Sequence, residues 1–147
     1  MLDTSFIIYY LHAVEPYASK ARDLLARETD LAISLKIIDE ILYTLIRLEA
    51  WRRLGIRRAE DLRQYVRRNG MSSFKDIANN VRNLIEKLGI DVLEDKGSAE
   101  EIIEAMFSYS LLPGDALVAV SCRHYGINTI ATFDEDFKRV PWLKVVP

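Results

Sequence analysis

Short apolar runs that alternate with longer helical stretches restrict the fold of this chain more than any other feature. Met1-Leu2, Leu31-Ala32-Ile33, Ile90 to Leu93, Asn128 to Thr132 and Leu143 to Val146 are each too brief for a helix. Runs of this kind read as buried parallel strands. Helical spacing fills the intervals. Phe6 to Leu11 is a short apolar helix, and Glu15-Pro16 opens a second that runs to about Glu28. From about Lys36 to Leu54, Ile37, Ile41, Leu45 and Leu48 recur on one face, and Gly55 is a natural stop. Ile56 to Asn69, ended by Gly70, predicts a basic helix. Ser73 with Asp76 at the capping-box position predicts the next, ended by Gly89. Ser98 with Glu101 is a second capping box, for a helix to about Ser110. Pro113-Gly114 reads as a turn before an Ala/Val-rich helix that starts at Asp115 and is stopped by Gly126. Strands alternating with helices predict parallel βα units, hence one α/β domain over residues 1–147.

Charge is unevenly distributed along that frame. Arg47 to Lys87 holds eleven Lys/Arg against five Asp/Glu, and the rest of the chain holds nine against seventeen. A basic middle is set into an acidic remainder. Such a bias commonly marks a solvated helical face, and it also suits a surface that follows phosphates beside a cation-attracting site. Composition does not choose between the two. The net charge of −2 implies no bulk affinity for polyanions. The single cysteine, Cys122, lies in an apolar helical run and fits a small core residue in a reducing, cytoplasmic compartment. No basic and apolar leader opens the chain, and no apolar run is long enough to span a bilayer, so no membrane partner is expected.

Four acids occupy comparable places in the βα pattern. Asp3 ends the first strand, Glu40 lies in the first turns of the helix after the second, Asp115 starts a helix and Asp134 follows the fourth strand. For Asp115 alone, the commoner meaning is a carboxylate favoured by a helix N-terminus. In an open parallel sheet, however, strand ends and helix starts share one edge, where ligands bind. The four carboxylates are therefore expected to converge. Crowded carboxylates repel one another and their pKa values rise, which a divalent cation relieves. An all-oxygen donor set suits Mg²⁺ or Mn²⁺, and no His or Cys cluster offers a zinc site. Two such ions can hold the attacking and leaving oxygens of a phosphodiester. Thr4, Ser5, Ser34 and Thr132 flank the acids; their hydroxyls would orient ligands or hold a phosphate, or simply serve turns and caps.

Leu2-Asp3-Thr4-Ser5-Phe6-Ile7-Ile8, Ser34 six residues before Glu40, Pro113-Gly114-Asp115-Ala116-Leu117-Val118-Ala119 and Ala131-Thr132-Phe133-Asp134-Glu135-Asp136-Phe137 together resemble the PIN domain, the fold of VapC-type toxins and related ribonucleases. The resemblance covers nearly the whole chain. It implies a three-layer α/β/α sandwich around a short-stranded parallel sheet. It also implies a Mg²⁺- or Mn²⁺-dependent endoribonuclease that hydrolyses RNA with metal-activated water, leaving a 5′-phosphate and a 3′-hydroxyl. Asp3, Glu40, Asp115 and Asp134 fall on the family's acidic positions, and Asp136 is commonly acidic as well. The resemblance further implies a homodimer and an antitoxin partner, the chain being the toxin of a type II toxin–antitoxin system. Two departures stand out: the first strand is shorter than usual, and Ser5 stands where the family often has Asn.

Neighbouring residues are weighed by position. Asp39 points about 100° away from Glu40 on the helix and is expected in solvent. Glu135 is expected to face outward. Trp51, with Arg52 and Arg53, suits stacking on single-stranded RNA, although a helical Trp is more often a packing residue. His12 and His124 lie outside the motifs. An aspartyl-nucleophile phosphatase would want Asp-x-Asp at the first strand, and Asp3-Thr4-Ser5 lacks the second acid. The remaining alternatives are an RNA-processing nuclease without an antitoxin and a non-catalytic RNA- or protein-binding module; filled acidic positions speak against the latter.

Overall fold

The computed structural model describes residues 1–147. Seven α-helices and four strands follow the order α1 (Thr4–Leu11), α2 (Tyr17–Leu25), β1 (Ala32–Ser34), α3 (Leu35–Leu54), α4 (Ala59–Asn69), α5 (Lys75–Leu88), β2 (Asp91–Leu93), α6 (Ala99–Tyr109), α7 (Pro113–His124), β3 (Thr129–Ala131) and β4 (Lys144–Val146). One 3-10 turn, Ser72–Phe74, precedes α5, and another, Glu135–Arg139, connects β3 to β4.

The strands pair in parallel, β1 with β2 and β3 with β4. The N-terminal segment joins the pairs into one sheet. Leu2 N–H donates to Ala32 O at 2.8 Å, Asp3 N–H to Ala131 O at 2.9 Å, and Ala131 N–H returns to Met1 O at 2.8 Å. The order across the sheet is therefore β2, β1, Met1–Asp3, β3, β4. Three residues suffice for the central position because both sides of the segment find backbone partners. Leu2, Ile33 and Ile130 are buried along this line with Phe6 and Ile7 of α1, Ile37 and Ile41 of α3, and half of α7. Unbroken burial from Val118 to Cys122 explains why the middle of α7 reads as apolar rather than amphipathic. Helices cover the parallel strands in the α/β/α arrangement expected from the sequence. A small satellite core of Ala50, Leu62 and Phe74 ties the end of α3 to α4 and the 3-10 turn.

Element boundaries depart from the sequence expectation where tertiary contacts compete with local signals. Pro113 and Gly114 are not a turn before α7 but its first two residues, with Leu112 as N-cap. Proline fits there because the first helical N–H has no intrahelical partner to lose. Ser73 does not cap α5; its hydroxyl lies 2.9 Å from that of Tyr65. Phe74 instead plugs the satellite core, with the Tyr65 ring edge-on at 6.1 Å, and burying that ring outweighs a cap. Ile56 packs against the same core, so α4 begins only at Ala59. The Ser98–Glu101 capping box forms as expected.

One loop position is sterically closed. Gly97 has φ +130°, and a Cβ there would lie 2.4 Å from Val120 Cγ1. The loop has little freedom to yield, because buried Ser121 both donates to Lys96 O and accepts from Lys96 N–H. Gly97→Ala is therefore expected to cost about 2 kcal/mol, from backbone strain and overpacking together. A urea midpoint unchanged from that of the parent protein would contradict this account.

Candidate active site

The rim of the sheet gathers every acid that the sequence singled out. Asp3 ends the central segment and caps α1, accepting from Ser5 N–H. It is buried, and its Oδ2 also accepts from Ser5 Oγ at 2.8 Å and from Thr132 Oγ at 2.6 Å. Thr132, also buried, accepts in turn from Asp134 N–H at 2.9 Å. One hydroxyl thus fixes two acids that are far apart in sequence. Ser5 Oγ holds the same loop by accepting from Phe133 N–H. The Phe133 ring packs against Phe6, Tyr9 and Tyr17 at centroid distances of 5.8, 5.7 and 4.9 Å. This aromatic group anchors the strand-end loop on α1 and α2, and so sets where Asp134 stands.

Asp134 caps the second 3-10 turn through Asp136 N–H. The carboxylates of Asp115, Asp134 and Asp136 each offer an oxygen within 4.8 Å of the others. Asp136 is also paired with Arg139 at 2.6 Å. Glu40 approaches from α3: its Oε2 accepts from Thr4 Oγ at 2.9 Å and its Oε1 lies 3.1 Å from Lys36 Nζ. Ser34 is fully buried and caps α3 through Ile37 N–H, so its part is to start the helix that carries Glu40. Asp39 and Glu135 stay in solvent as expected, the latter paired with Lys138.

Asp115 is the centre of this arrangement. It lies in the first turn of α7, where the helix N-terminus favours a carboxylate, and its side chain makes no cap hydrogen bond there. Burial pushes its carboxyl up from an ordinary 3.8 to about 6, and the charges of Asp134, Asp3, Glu40 and Asp136 push the same way. Asp3, Glu40 and Asp134, and Asp136 with them, therefore act together on the half-buried side chain of the fourth expected acid, Asp115.

The PIN domain profile matches residues 1–143. The chain belongs to the PIN domain family. Two curated relatives come from Methanocaldococcus jannaschii. Ribonuclease VapC2 is 49% identical over 43 residues, 29% of each chain, and ribonuclease VapC6 is 27% identical over 93 residues, 63% of this chain and 60% of that one. The matched stretches thus span less than two thirds of those relatives. Among solved structures, Mycobacterium tuberculosis VapC20, a sarcin–ricin-loop-cleaving toxin, superposes with a TM-score of 0.60 at 18% identity, covering 99% of this chain and 98% of that one. At that identity the superposition establishes the PIN fold alone.

The donor set in this PIN domain fits a hard divalent cation. It is all oxygen, three of its carboxylates are close enough to share one ion, and burial first, with the charges of the neighbouring acids second, makes an uncompensated Asp115 carboxylate unfavourable there. Lys36 was not visible as a site residue in the sequence. Burial would lower its pKa, but the hydrogen bond and charge of Glu40, followed by those of Asp39, outweigh that and hold it above its ordinary 10.5. The available signal was a basic residue in the first turn of a long helix, where the dipole disfavours it. Trp51 is half exposed beside Arg47 and Arg57. It stands about 16 Å along α3 from Glu40 at 1.5 Å per residue.

Proposed function

We propose that this PIN domain is a Mg²⁺- or Mn²⁺-dependent endoribonuclease, the toxin of a toxin–antitoxin pair acting in the cytoplasm. The observation that carries the reading is the enclosure of half-buried Asp115 by Asp3, Glu40, Asp134 and Asp136. The ribonuclease names of the two relatives and the toxin identity of the structural neighbour support it. In this reading Asp115, Asp134 and Asp136 would hold the cation, with Asp3 and Glu40 close enough to act on Asp115 through their charge. When bound, the ion supplies Lewis acidity: it offsets charge on a phosphodiester and acidifies water for attack. The rest falls to the chain's own groups. Ser5 and Thr132 hold the Asp3 carboxylate still, Thr4 holds Glu40, and Thr132 ties Asp134 to Asp3. The arginines of α4 and of the end of α3 form a basic flank that would follow the RNA backbone, a contact that weakens as salt rises.

The test is cleavage of a mixed RNA pool by the purified chain. Mg²⁺ or Mn²⁺ is expected to support cleavage, chelation to stop it, and added Mn²⁺ to restore it. The products are expected to carry 5′-phosphate and 3′-hydroxyl ends. Full-rate cleavage under chelation, or 2′,3′-cyclic phosphate ends, would overturn the reading. The same protein is expected to sediment as a homodimer; Ile103, Phe107 and Leu112 offer an exposed apolar surface for the contact. A purely monomeric sedimentation profile would remove that part.

A further inference from the structure

Lys36 stands in the wrong place for a surface lysine. It is the second residue of a 20-residue helix, where the free N–H groups already concentrate positive charge. It also precedes Glu40 by four positions, the less favourable order for a helical ion pair. Yet its side chain is largely covered, with an exposure of 27%, and its ammonium is 3.1 Å from Glu40 Oε1 and 3.5 Å from Asp39 Oδ2. Space for it is left by Gly114: a Cβ at that position would lie 2.8 Å from Glu40 Oε1 and 3.3 Å from Lys36 Cε. α3 and α7 therefore meet at a gap in which a lysine and a glutamate are lodged.

The consequence for the acidic cleft is an unequal division. Glu40 has both oxygens engaged, Oε1 by Lys36 and Oε2 by Thr4. On the other side, Asp115, Asp134 and Asp136 bring three carboxylate oxygens within 4.8 Å of one another. Arg139 pairs with one oxygen of Asp136 from the rim, at 44% exposure, and donates nothing to Asp115 or Asp134. Asp3 has Oδ2 taken by Ser5 and Thr132, so a second divalent ion would have to draw on Glu40, and Glu40 Oε1 already has its cation.

We propose that Lys36 is a built-in counter-cation that takes the place of a second divalent ion, so that the acidic cleft of this chain seats one metal ion on Asp115, Asp134 and Asp136. The proposal rests on the metal-dependent nuclease reading and fixes its stoichiometry. Lys36 acts through Glu40 and is a positioning residue. Deleting its charge frees Glu40 Oε1 and opens the second seat.

The experiment titrates Mn²⁺ into the metal-free chain and reads free Mn²⁺ by its paramagnetic resonance signal. The wild type is expected to bind one Mn²⁺ per chain, Lys36→Met two, and Lys36→Arg one. Thermal unfolding of each variant shows that it is folded; should Lys36→Met fail to fold, Lys36→Gln replaces it with the same expected count of two. Two ions on the wild type, or one on folded Lys36→Met or Lys36→Gln, would overturn the proposal while leaving the nuclease reading standing. No ion on the wild type, or one ion that persists in Asp115→Asn, would overturn both.

Discussion

Asp115→Asn is expected to reduce RNA cleavage more than about a hundredfold, since even residues that only support a metal ligand are worth roughly ten- to a hundredfold. The same substitution is expected to stabilise the metal-free protein at neutral pH. The sign follows from the direction of the pKa shift. Asp115 titrates at about 6 in the folded chain against an ordinary 3.8, because of burial first and the carboxylates around it second. The folded state therefore holds this proton more tightly than the unfolded state does. That contribution to stability is fully present below about pH 4 and is lost as pH rises through 6. For a fully desolvated group the loss would approach about 3 kcal/mol, and for a half-buried one it is on the order of 1–2 kcal/mol. Asparagine keeps the shape and carries no charge, so the variant escapes the loss. Urea midpoints at pH 5 and pH 7.5 without metal should converge for the variant and diverge for the wild type. Mn²⁺ should then stabilise the wild type and leave the variant unmoved, because only a folded site with its ligands intact binds the ion. Equal cleavage by the two proteins, or an Asp115→Asn chain no more stable than the wild type at pH 7.5, would remove Asp115 from the centre of the site.

The acids were legible before any coordinates for a geometric reason. A parallel sheet delivers strand ends and helix starts to one rim, and Asp3, Glu40, Asp115 and Asp134 each sit at such a junction. The hydroxyls beside them were legible as neighbours but not as to role. Thr132 and Ser5 became the fixtures of Asp3, Thr4 that of Glu40, while Ser34 proved to be a helix cap. Local pattern contains no statement about which distant atom a hydroxyl will reach. The cations were hidden for the opposite reason. Lys36 with Glu40 and Arg139 with Asp136 are short-range pairs of the kind that surface helices carry everywhere. Only the partial cover of Lys36 and Glu40, and for Asp136 the company of other carboxylates, distinguish them. Boundaries failed where a side chain had a better use elsewhere: Phe74 gave the satellite core more than Ser73 could give α5 as a cap. The sheet shows the same limit, since the two flanks of Met1–Asp3 are paired by residues from β1 and β3, which no local window contains.

Gly114→Ala is expected to lower cleavage by about ten- to a hundredfold with the fold unharmed, the scale on which a displacement near 1 Å is felt in a preorganised site. Gly114 is an ordinary helical residue of α7, without a positive φ, so an L side chain meets no backbone strain there. Alanine is the better helix former by up to about 1 kcal/mol, less near a helix start, and stability should hold or rise slightly. What the new methyl group meets is chemistry rather than scaffold: Glu40 Oε1 at 2.8 Å and Lys36 Cε at 3.3 Å. Both are far ends of flexible side chains, so they yield instead of the helix, and the pair loses its place opposite the three aspartates. Steady-state cleavage and a urea melt read the two effects separately. Asp115→Asn removes charge from the cleft without changing its shape, whereas Gly114→Ala changes the shape without touching a charge. If cleavage by Gly114→Ala is normal, the Lys36–Glu40 pair tolerates displacement and its position contributes nothing to the reaction. If activity falls while stability holds, the gap between α3 and α7 is there for the sake of that pair.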